Sequence, residues 1–211
     1  MTTIHESRPF NLRYIVRAPG GIHGDALRAT HRTALCNYLY ITRQNGEDEF
    51  GPTPDFAARR NDLVAVGRAG PLRSHAPAYA GSAIWIAADA ASREPRPELA
   101  TGMHAVGSLP PELHPVQWER LIAAFCDTQL AARGMVVDWA IHALHGDDGE
   151  AAVAPHSHML ITGRTFDGPR PGTWQRSWIT SPAQVSALGN AWYALTGMYP
   201  LGYAPATRVA V

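Results

Sequence analysis

The feature that most limits how this chain can fold is a pair of alternating segments, MVVDWAIHA at 135–143 and PHSHMLITGR at 155–164, on either side of a stretch containing Gly and Asp. Successive side chains of an extended strand point to opposite faces. The first segment sets Val137, Trp139 and Ile141 on one face and Val136, Asp138, Ala140 and His142 on the other. The second, read as a strand over 156–164, puts His156 and His158 on a shared face with Leu160 and Thr162, and Ser157, Met159 and Ile161 opposite. Two such runs joined by a turn predict an antiparallel hairpin with His142 across the ladder from the histidine pair. Alone, an H-x-H pair fits one core and one rim histidine as well as a metal site. A third imidazole on the same face points to a facial metal site with open positions. His145, in the expected turn, competes with His142 for that place. Neutral nitrogen ligands would leave a bound cation strongly positive, which suits an anionic substrate such as a phosphodiester.

The remaining chain supplies helices to cover such a hairpin. FNLRYIVR at 10–17 alternates as a first strand. Residues 25–43 read as a helix, as do 82–92. Pro115 to Arg133 reads as another, with Pro suited to the first position, Gly134 to the stop, and Trp118, Leu121, Ile122 and Phe125 as its apolar stripe. A last helix runs from Ser181-Pro182 to Gly197, with Val185, Leu188, Trp192 and Leu195 facing inward. Residues 103–107 read as a short strand, and 63–66 as a short strand or helix. The prediction is an α+β fold, an antiparallel β-sheet with helices packed on it. It forms one domain over 1–211, with 46–82, rich in Gly, Pro, Arg and Asp, as a candidate irregular insertion.

Composition removes several classes of function. Formal net charge is zero, so no global field draws the chain to nucleic acid or membrane surface. All 18 basic residues are arginine, so any phosphate contact from a basic side chain is permanently charged and able to be bidentate. Cys36 and Cys126 lack motif spacing, which speaks against a disulfide scaffold or a zinc site. No signal-like start and no apolar run of spanning length occur, and the expectation is a cytoplasmic protein.

Taken together, AIH at 140–142, PHSHMLITGR at 155–164 and SLPPEL at 108–113 resemble the MobA/MobL type of plasmid-mobilisation relaxase, a group of HUH endonucleases. The chain departs from the family pattern at three positions, and its segment between His142 and His156 is longer than usual. Ser157 is polar where the family has a bulky, usually hydrophobic residue. Ala154 stands where the family has asparagine, and His104 lies near the place of a family glutamate. The resemblance implies a tyrosine nucleophile near the end of the first long helix. THRTALCNYLYITRQNG offers Tyr38 and Tyr40, which lie about 200° apart on a helix, so only one can face the histidines. Aligning LYITRQNG with the family favours Tyr40.

The implied activity is cleavage of one DNA strand, with His142, His156 and His158 holding Mg²⁺ or Mn²⁺ and Tyr40 forming a 5′-phosphotyrosyl intermediate. The implied partners are single-stranded DNA at an origin of transfer and accessory mobilisation proteins. Arg13, Arg28, Arg32, Arg43 and Arg164 are the expected DNA contacts, and Trp85, Trp174 or Trp178 the candidates for base stacking. Three rival readings remain: an HUH replication initiator or transposase, a catalytically degenerate DNA-binding relative, and a metal-dependent hydrolase that uses water.

Overall fold

The computed structural model describes residues 9–17, 32–71, 81–92, 100–147, 151–167, 170–175 and 182–200. In chain order its elements are β1 (Phe10–Ile15), α1 (Ala34–Ile41), β2 (Glu47–Asp48), β3 (Gly51–Pro52), β4 (Leu63–Ala69), α2 (Ala83–Ala91), β5 (Gly102–Ser108), α3 (Pro115–Phe125), β6 (Val137–His145), β7 (Ala151–Thr162), β8 (Arg164–Asp167), β9 (Arg170–Trp174) and α4 (Pro182–Thr196). Five strands form one antiparallel sheet in the order β1-β5-β7-β6-β4, so the hairpin β6–β7 and its neighbour β5 occupy the centre. The fold is α+β, as the sequence predicts.

Register carries the alternation into three dimensions. His142 pairs directly with His156, Ala140 with His158 and Asp138 with Leu160. Trp139 opposite Met159 and Val137 opposite Ile161 occupy the reverse face. On that reverse face α3 and α4 bring Trp118, Ile122, Phe125, Leu188 and Trp192 against Met103, Ala105, Ile141, Met159 and Ile161. Gly107 lets the layers meet, because a Cβ there would stand 2.4 Å from the Trp192 indole. Ser157, the polar departure from the family pattern, is buried on this face, where its hydroxyl donates to the Gly107 carbonyl at 3.2 Å. On the histidine face α1 and α2 contribute Ala34, Ile41, Ile84 and Trp85 to a smaller apolar cluster with Ile15, Val136, Ala140 and Leu160.

The helix expected from residue 25 starts later. Thr33 has extended dihedrals (φ −147°, ψ 164°), and its hydroxyl oxygen accepts from the Cys36 N–H at 2.9 Å, so α1 begins at Ala34. Residues 18–31 lie outside the described ones. A second cap comes from α2, where the Asp89 carboxylate accepts from the Ala34 and Leu35 N–H groups, both at 2.9 Å. The helix read over 115–133 is α-helical only to Phe125. A π turn (Cys126–Leu130) and a 3₁₀ turn (Ala131–Arg133) follow, ended by left-handed Gly134 at φ 95°.

Strand β7 starts at Ala151 rather than His156, and His145 closes β6 opposite Ala151 instead of sitting in a turn. The span 46–82, expected as a candidate irregular insertion, holds the small β2–β3 ladder, a 3₁₀ turn (Ala57–Asp62) and β4, an edge strand of the central sheet. Leu195, expected on the buried stripe of α4, is exposed.

Candidate metal centre and nucleophile

Three histidines from the central hairpin converge under α1. One ring nitrogen from each of His142, His156 and His158 lies within 4.8 Å of those of the others. Ring centroids are 4.7 Å apart for His142 and His158, 4.9 Å for His156 and His158, and 5.5 Å for His142 and His156. His145 is not part of this group.

Each ring has its proton assigned by a partner. The Nε2–H of His142 donates to the Ile41 carbonyl at 2.8 Å, which leaves Nδ1 with the lone pair. The Nδ1–H of His156 donates to the Ala154 carbonyl at 2.8 Å, which leaves Nε2. His158 is 4% exposed, its Nδ1 is 2.8 Å from His104 Nε2, and its Nε2 is buried with no hydrogen-bond partner among the described residues. A buried imidazole nitrogen without a partner, beside two others whose lone-pair atoms are fixed, is the donor set that a divalent ion needs. Burial keeps His142 and His158 neutral, the form that binds metal. It lowers His158 well below the ordinary value, with the neighbouring imidazoles adding to the effect, and it takes His142 down to about 4, with Arg43 contributing next. The lone pair of His142 Nδ1 accepts from Arg43 Nη2 at 2.9 Å, so an ion at that nitrogen would take the place of this N–H.

The two tyrosines of α1 separate as helical geometry demands. Tyr40 faces the histidines, its ring centroid 5.3 Å from that of His158, 6.2 Å from His104 and 6.4 Å from His142. Phe56 meets the ring edge-on at 5.4 Å, and the Arg43 guanidinium lies 4.9 Å from its centroid. Tyr38 lines a different cavity of about 390 Å³ with Arg68, Asp138 and Val66. Burial, then the nearby Asp138, raises its phenol above the ordinary value.

The arginines expected at DNA divide sharply. Arg13 is exposed on β1, on the histidine face, with Nη2 3.3 Å from His104 Nδ1. Arg43 is 3% exposed, forms a two-point ion pair with Asp62 at 2.8 Å and bonds the Tyr40 carbonyl and His142, so its expected place at a DNA surface is corrected to an internal one. Arg32 is partly buried and holds Asp48 and the carbonyls of Gly51 and Pro52. Arg164 is partly buried and bonds the Gly172 carbonyl at 3.3 Å and the Ala91 carbonyl at 3.5 Å. Arg28 lies outside the described residues.

Of the stacking candidates, Trp85 is fully buried with Nε1–H donating to Asp138 at 2.6 Å, Trp174 is partly buried against the apolar core, and Trp178 lies outside the described residues. Sequence reasoning missed Asn37, whose amide reaches His104 at 2.7 Å. Its position one turn before Tyr40 on α1 was the available signal. It also missed the Asp62–Arg43–His142 link, for which no local pattern exists.

This arrangement can be set beside known proteins. A solved structure titled "Molecular Basis of Vancomycin Resistance Transfer in Staphylococcus aureus" shares the fold, with a TM-score of 0.66, 18% sequence identity and coverage of 89% of each chain. The MobA/MobL family profile matches residues 34–191, a span that holds α1, the hairpin and all three histidines, and the chain belongs to the MobA/MobL family. No curated protein matches.

Proposed function

We propose that this protein is a DNA relaxase of plasmid mobilisation, folded as a single relaxase-like domain, which cleaves one strand through Tyr40. The observation that carries this reading is the placement of the Tyr40 ring 5.3 Å from His158, over three histidines whose ligand atoms lie within 4.8 Å of one another. His142, His156 and His158 would hold a divalent ion such as Mg²⁺ or Mn²⁺. When bound, it supplies Lewis-acid polarisation of a non-bridging oxygen of the scissile phosphate. The Tyr40 hydroxyl gives up its proton and its oxygen attacks phosphorus in line. The tyrosyl O–P bond forms, the P–O3′ bond breaks, and the departing 3′ oxygen takes up a proton. The phosphotyrosyl bond so formed can be reversed to rejoin the strand. Phe56, packed edge-on against the Tyr40 ring, and the helix backbone would fix the place of the phenol for attack. Of the arginines expected at DNA, Arg13 is the one exposed among the described residues, and it would meet a backbone phosphate. Single-stranded DNA at an origin of transfer is the partner, with accessory mobilisation proteins expected beside it.

A denaturing gel tests the reading. The protein is mixed with labelled single strands from the flanks of its own gene and Mn²⁺. A slow covalent band in the wild type and in Tyr38→Phe, absent in Tyr40→Phe and His156→Ala, is the expected result. Strand cleavage without any covalent band would point to water as the nucleophile and overturn it. One observation favours a second reading, a DNA-binding relative that does not cut: Arg43 occupies the lone pair of His142. That reading predicts neither an adduct nor Mn²⁺ binding.

A further inference from the structure

The ring of His158 is set by a chain of neutral groups that begins at the N-terminus of α1. Asn37 Nδ2 donates to the Thr33 carbonyl at 2.7 Å, which turns the amide so that Oδ1 faces His104. That oxygen lies 2.7 Å from His104 Nδ1. An amide oxygen only accepts, so Nδ1 must carry the hydrogen. Arg13 Nη2, 3.3 Å from the same Nδ1, presents another N–H, and at this longer distance it cannot reverse the assignment. His104 Nε2 therefore carries the lone pair and accepts from His158 Nδ1–H at 2.8 Å. The proton of His158 is thereby held on Nδ1, and its buried Nε2, without a partner among the described residues, keeps the lone pair.

We infer that Asn37 and His104 are positioning residues that fix the tautomer and ring angle of His158, making its Nε2 a ready metal ligand through a relay containing no carboxylate. This rests on the proposed metal centre and adds to it. His104 is 1% exposed and Asn37 fully buried, so neither partner can be replaced by solvent without opening the packing between α1 and β5. The same helix presents both Asn37 and Tyr40 to the sheet, three residues apart, so one rigid element sets the ligand tautomer and the position of the phenol together.

Two readouts test the relay. Long-range ¹H–¹⁵N NMR on the metal-free protein reports which nitrogen of each imidazole is protonated. His158 and His104 should both be protonated at Nδ1, and Asn37→Leu should shift His158 toward a mixture of tautomers. Mn²⁺ titration should then show His104→Ala binding roughly 10–100-fold more weakly than wild type, the range typical of a lost ligand-orienting partner. His104→Gln, whose amide oxygen reaches the place of Nε2 and can accept, should restore affinity to within about threefold of wild type. Circular dichroism of each variant separates loss of fold from loss of the relay. A wild-type His158 protonated at Nε2, or equal affinities in wild type and His104→Ala, would overturn the inference. A wild type that binds no Mn²⁺ would count against the metal centre of the proposed function, while the NMR assignment would still decide the relay.

Discussion

The two faces of the central sheet are both buried, yet they are held by different forces. The face under α3 and α4 is aromatic and aliphatic, with Phe10, Phe125 and Trp192 in mutual contact at centroid separations of 5.0 to 6.0 Å. The face under α1 and α2 has a thin apolar seam, and around it stand buried Asn37, Asp138, His104, His142 and His158, each bound to a specific partner. The first face specifies the fold by area and volume. The second specifies orientations, because an unpaired buried polar group costs more than a poorly packed methyl group. The histidine cluster and Tyr40 lie on the second face, and the first provides the stable floor beneath them.

The sharpest way to break this contrast is on the packed face. Trp192→Ala removes a fully buried indole, along with its hydrogen bond to the Ser108 carbonyl, and should cost roughly 3–5 kcal/mol. Denaturant unfolding should show it, and a cost near that of a surface substitution would contradict the division. On the polar face, Asp138→Leu leaves the buried Trp85 N–H without an acceptor. It should cost about 1–3 kcal/mol by the same measurement, with Asp138→Asn milder because an acceptor remains. Arg68, a quarter exposed, can turn to solvent and adds little. Thr33→Ala, which removes the cap of the tyrosine helix, should cost about 1 kcal/mol.

The polar face also carries a pH dependence. Burial pushes the Asp89 carboxyl up to about 7 from an ordinary 3.8, against the two backbone N–H groups that favour its charged form. A raised folded-state value means that the folded protein holds this proton more tightly. The group therefore contributes stability at acid pH that is lost as pH rises through about 4 to 7. The stability of the wild type relative to Asp89→Asn should fall as pH is raised from roughly 5 to 8, and a difference flat in pH would show that Asp89 is already ionised throughout.

The contrast also marks what could be read from sequence. The shared face of His142, His156 and His158 was legible because a strand alternates with period two, and both halves of the hairpin are local. Tyr40 over Tyr38 needed the family resemblance, since helical geometry separates the two phenols without saying which one faces the sheet. The start of α1 was misread because the Ala- and Arg-rich segment before it has helical propensity, whereas the Asp89 cap comes from 54 and 55 residues away and the Thr33 hydroxyl is held by Asp48, 15 residues away. The arginines misled for a related reason. Arg43 and Arg32 look like surface charge until Asp62 and Asp48 are brought beside them. The polar face is built mainly from pairs distant in sequence, and local pattern cannot supply those.

The central claim is that Tyr40, not Tyr38, bonds to DNA. Both tyrosines fall on one tryptic peptide, Thr33–Arg43, so the decisive measurement is fragmentation mass spectrometry of that peptide from the purified protein–DNA adduct after nuclease trimming. The account predicts the nucleotide mass on fragments that contain Tyr40 and none on those that end at Tyr38 or Leu39. Nucleotide mass on Tyr38, or on no residue of this peptide, would contradict it.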